Sequence, residues 1–117
     1  MNATGERFVD EGADFRNYTY AKYGRVVLEQ PENFAWQIFD KKVENLIRDE
    51  YRIKRVTKVI VGSIEELAHQ IEGVNAERFL AYIKDYNAAV QQDVPFNPNV
   101  KDGRGTRGLK VAKSNWA

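Results

Sequence analysis

The 117 residues carry 18 Lys and Arg against 17 Asp and Glu, with 43% apolar residues, 12% aromatics, one histidine and no cysteine. That length is one domain, able to bury roughly two-thirds of its unfolded surface. A net charge of +1 argues against general attraction to nucleic acid or membrane, and the missing cysteines and single histidine exclude disulfides, thiolate metal sites and multi-histidine ligation. No apolar run approaches the ~18 residues of a membrane span and no signal-peptide pattern follows Met1, so a cytoplasmic location is expected.

Asn2-Ala3-Thr4-Gly5 is a turn-forming cluster, and Phe8-Val9 after it can anchor a short strand. Only Met1 precedes the turn. The Arg7–Asp10 strand is therefore expected to lack its hairpin partner, as in a piece cut from a longer chain. Its unpaired edge would favour self-association. Asp14 can cap a helix over 15–29, rich in aromatic packing residues, weakened midway by Gly24 by about 1 kcal/mol against Ala and stopped by Pro31. Residues 34–39 alternate as a strand. Asp40 ends it and caps a short helix over 41–49 that buries Val43, Leu46 and Ile47. The mixed charges of 48–58 read as a solvated face, and the β-branched run 56–61 as a further strand.

Ser63-Ile64-Glu65-Glu66 is a capping box opening a helix that runs to about Glu72 and stops at Gly73. His69 falls opposite the apolar side and is expected to be exposed and uncatalytic. Asn75 caps a last helix, 76–91, whose apolar arc runs from Ala76 to Val90 and includes Asn87. A polar side chain there is expected to brace a neighbouring loop. Beyond Asp93 the pattern is loop. Gly103, Gly105 and Gly108 do not lie between a strand and a helix, so they make no phosphate cradle, and two Arg-Gly pairs are too few for an RNA-binding repeat. The expected fold class is α+β: about three main helices with three or four short strands, not alternating βαβ units.

Gly5-Glu6-Arg7-Phe8-Val9-Asp10-Glu11 resembles the segment that opens the capping domain of the fumarate reductase and succinate dehydrogenase flavoproteins. The run Asp10 to Gly24 is most similar to the tricarballylate dehydrogenase branch. Gln37-Ile38-Phe39-Asp40 resembles the close of a capping-domain strand. Ser63-Ile64-Glu65-Glu66-Leu67-Ala68, the joint Glu72-Gly73-Val74-Asn75, and Tyr86-Asn87 resemble the helix pair of those domains, in order. Lys113-Ser114-Asn115-Trp116-Ala117 is similar to the phrase at which that branch returns to its flavin domain. The resemblance spans essentially the whole chain.

The resemblance implies a substrate-capping domain, residues 1–117, belonging to an FAD-dependent dehydrogenase that oxidises a polycarboxylate with hydride transfer to flavin. It also implies that the FAD-binding domain, which is the expected partner, lies outside this stretch. The isolated chain is then expected to bind neither FAD nor metal and to be inactive. The family's proton-shuttling arginine maps best onto Arg16, with Arg25 second. Four residues separate Glu11 from Arg16 where fumarate reductases have three, and Asn17 follows where they have Asp. Arginine, with a pKa above ~12, is a poor proton carrier outside a closed site, so Arg16 either shuttles a proton or forks onto a substrate carboxylate. The alternative reading is a stand-alone module whose Arg/Gly-rich C-terminal tail binds protein or nucleic acid.

Overall fold

Phe79 is the one large side chain shielded completely from solvent, and the core is built around it. It projects from the helix Ala76–Ala89 (α3). Ala68, on the helix Ile64–Gln70 (α2), and Ile71 at its end close over it. Met1, Trp36, Ile38, Leu67, Leu80 and Ile83 form a half-buried rim. The computed structural model describes residues 1–117, and its third α-helix is Arg16–Leu28 (α1).

Helix starts follow their caps. The Ser63 hydroxyl accepts from the Glu66 backbone N–H at 3.1 Å, and the Asn75 side chain accepts from Arg78 N–H at 3.0 Å, each satisfying a donor that no helical carbonyl can reach. Glu66 turns back as the box predicts, but onto the N–H of Gly62 at 3.1 Å. Gly73, with φ +73°, lets the chain leave α2 in the left-handed region, and a side chain there would strike the Phe34 ring. Asp14 accepts from Phe15 N–H at 2.8 Å, one residue ahead of the true N-cap position. Asp40 caps as expected, accepting from Lys42 N–H. The helix that follows is a 3₁₀ segment, Lys41–Leu46, and its apolar side chains stay exposed or half-exposed.

The strands do not form, and the α+β expectation is overturned. The chain has three α-helices, three short 3₁₀ segments and a single isolated antiparallel bridge, Val90 with Thr106. β-Branched residues favour a pleated surface only where a neighbouring strand supplies a ladder. Residues 56–61 find no neighbour, and Ile60 is 86% exposed. In 34–39, Trp36 exchanges two backbone hydrogen bonds with Met1 and its indole donates to the Glu72 carbonyl, but the pairing goes no further. Arg7–Asp10 is likewise no strand. Its side chains hold the C-terminal segment instead.

Asn87 is a second correction. It is exposed on α3 beside a shallow groove with Ile64, Leu80 and Ile83, and braces no loop. His69 is exposed.

Candidate functional site

The two sequence phrases farthest apart in the chain hold each other. Asp10 accepts from the Ser114 N–H at 3.0 Å, and its second oxygen takes the Ser114 hydroxyl. The buried Asn115 amide donates to the Gly12 carbonyl at 2.8 Å and accepts from Gly103 N–H at 2.8 Å. Gly12 is required there, because a Cβ would collide with the Asn115 backbone. The Arg7 guanidinium, with only 9% of its side chain exposed, clamps Glu11 at 2.6 Å and donates to the Val111 carbonyl at 2.9 Å. Its remaining face lies over the Tyr86 ring of α3, 5.1 Å from the centroid.

Three cations and two phenols share the Glu11 charge in this junction. Burial pushes the Met1 ammonium down to about 6, against Glu11's pull. Burial also lowers Lys113, with Arg7 adding to the effect. Burial works to lower Arg7 as well, but the hydrogen bond and charge of Glu11 carry it above its ordinary value. Burial, helped by Glu11, pushes Tyr86 up to about 12. The Tyr82 hydroxyl is buried without a hydrogen-bond partner. Arg7 is saturated by carboxylate and carbonyls, so the junction is a clasp.

Arg16 stands apart from it, on the first turn of α1. The helix is held by the Tyr23 hydroxyl on the Asp10 carbonyl, by Asn2 on Gln30, and by Phe15 against Trp116 at 5.2 Å. It buries only Thr19, leaving Tyr18 77% and Leu28 68% exposed. The Arg16 guanidinium makes no hydrogen bond. It lies over the Tyr20 ring and 3.9 Å from Glu50. Glu50 also meets Arg48 at 3.3 Å. Its carboxyl is held below the usual range, first by its own backbone N–H and then by the two guanidinium charges. Sequence reasoning placed Arg48 and Glu50 on a solvated face. They are exposed, but no spacing rule connects them to Arg16, because the chain joining them is irregular. Arg25 is exposed on the last turn of α1, beyond this group.

The C-terminal tail is folded in. Arg104 donates to the carbonyls of Ala117 and Val94 and to Gln92, Gly105 and Thr106 are buried, and Trp116 donates to the Asn97 and Val100 carbonyls. Asp102, approached by the backbone N–H groups of Asn97, Arg104 and Trp116, is kept below the usual carboxylate range by these bonds against the opposing effect of desolvation. Gly105 packs on the chain's own Lys113 carbonyl, and no parallel strand leads into a helix N-terminus as in the doubly wound dinucleotide-binding folds. No cluster of three or more His, Asp or Glu could hold a metal ion, and no helix is long and apolar enough to cross a membrane. Compared with known proteins, the chain matches no family model, no curated sequence and no solved structure.

Proposed function

We propose that this chain is the substrate-capping domain of an FAD-dependent dehydrogenase acting on a polycarboxylate, with the flavin held by a body outside these residues. The observation that carries the reading is the clasp. Residues 7–12 and 111–115 are fastened side by side, so a segment near the start of the domain and one near its close run together, as suits a domain inserted into another fold. The phrases that fasten it are the ones that resemble the opening and close of the family's capping domain. The bare face of α1, with Arg16 on its first turn, is the surface such a cap turns toward its host.

Closing that face would exclude water and strengthen the attraction between Arg16 and a substrate carboxylate, since charge interactions grow as the local dielectric falls. Hydride chemistry belongs to the flavin of the host body and to none of these residues. In the alternative reading the Arg/Gly tail would bind protein or nucleic acid, but of its two Arg-Gly arginines Arg104 is occupied by three intramolecular partners, and only Arg107 is exposed.

The test joins the chain to the FAD-binding body of a tricarballylate dehydrogenase-like protein. Purified alone, the chain should show no flavin absorbance. Joined, it should support dye-coupled oxidation of tricarballylate, lost on Arg16→Ala. Flavin retained by the chain alone, or full activity in the Arg16→Ala fusion, would overturn the reading.

A further inference from the structure

Two arginines from unrelated parts of the chain converge on the two oxygens of one carboxylate. Arg16 Nη2 lies 3.9 Å from Glu50 Oε1, and Arg48 Nε lies 3.3 Å from Oε2. Neither guanidinium donates to any other side chain or to a backbone carbonyl, so neither is saturated as Arg7 is. The three side chains are about half exposed, open to an incoming anion. The charge around them is segregated. Residues 41–58 hold seven Lys and Arg against three Asp and Glu, net +4, so the rest of the chain totals −3. The +1 of the whole molecule conceals a local field that favours anions here.

We propose that Arg16 and Arg48 form a clamp for one carboxylate of a di- or tricarboxylate anion, and that Glu50 occupies the clamp as an intramolecular stand-in. A guanidinium's planar fork matches a carboxylate, and two of them grip it from both oxygens. An incoming carboxylate takes the place of Glu50 by exchange of ion pairs, with no bond made or broken. This deepens the capping reading and rests on it for the identity of the substrate; the clamp itself rests on the geometry.

Citrate is the probe, titrated into the 117-residue chain at low salt, with the guanidinium Nε–H resonances of Arg16 and Arg48 followed by NMR. Both should move together along one binding curve. Glu50→Gln should tighten citrate binding on the order of two- to fivefold by removing the competing charge, the span that exposed ion pairs cover. Arg48→Ala should weaken binding by a similar factor, and Lys110→Ala should leave it unchanged. Unchanged amide spectra would show that these surface variants keep the fold. Binding that ignores Glu50→Gln, or an Arg16 response indifferent to Arg48→Ala, overturns the clamp while leaving the capping reading intact. If the fused enzyme described above is inactive while citrate obeys the clamp, the capping reading falls and a carboxylate site remains.

Discussion

Glycine positions separate what the chain needs from what it tolerates. Gly5 sits at φ +80°, and a Cβ there would come within 2.6 Å of the Phe79 backbone nitrogen and 2.9 Å of the Asn75 carbonyl oxygen. Backbone strain and collision add, at the point where the opening turn meets the start of α3. Gly5→Ala should cost at least about 2 kcal/mol, read as a fall in the urea midpoint. Gly24 is the opposite case. It lies inside α1 with nothing within 4 Å of an added Cβ, so only its backbone entropy is at issue. Gly24→Ala should stabilise the chain by about 0.5–1 kcal/mol. If both variants shift the midpoint the same way, the turn geometry at Gly5 is wrong. Both glycines were legible in the sequence as a turn residue and a helix weakener. The collision at Gly5 was not, because it depends on Phe79, far along the chain.

At the scale of elements, the same division runs between local and non-local causes. Caps are local: Asp40, Ser63 and Asn75 were readable from residue type and spacing, and each accepts the N–H two or three residues on. Removing the hydroxyl of Ser63 or the amide of Asn75 by substitution with Ala should each cost about 1 kcal/mol. The helical circular dichroism lost on Asn75→Ala should exceed that on Ser63→Ala, since α3 is twice the length of α2. Equal losses would mean that the two helices melt as one unit. Strands are non-local, and that is where sequence reasoning failed. Val56 to Val61 has the composition of a strand and no partner, whereas Val90, at a helix end, makes the only bridge. Arg16 was singled out only by the resemblance; its meeting with Arg48 and Glu50 depends on the course of an irregular segment that no periodicity describes. The clasp was half legible, since both phrases stood out, but nothing in either one names the other.

For the whole molecule, one consequence of drawing its two end segments together can be measured without any ligand. The Met1 ammonium donates to the Trp36 carbonyl at 2.7 Å inside the junction, and burial lowers its pKa from 8.0 to about 6. The unfolded chain therefore binds more protons than the folded chain between those values, so folding stability rises with pH across the window. Above pH 8 the group is neutral in both states and carries no penalty. Below pH 6 it is charged in both, and the full cost of burying the charge is present. A two-unit shift corresponds to about 2–3 kcal/mol, an upper bound because part of the group still meets water. Urea titrations of the 117-residue chain at pH 5.5, 7 and 8.5 should give midpoints that climb with pH. Acetylating the α-amine leaves an N–H for the Trp36 carbonyl but no charge to bury, so the acetylated chain should lose that climb and match the unmodified chain at high pH. Glu50 and Asp102 are held below the usual carboxylate range, and burial lowers Lys113 from its ordinary value of 10.5. A climb that survives acetylation would place the charge cost at a group other than the Met1 ammonium.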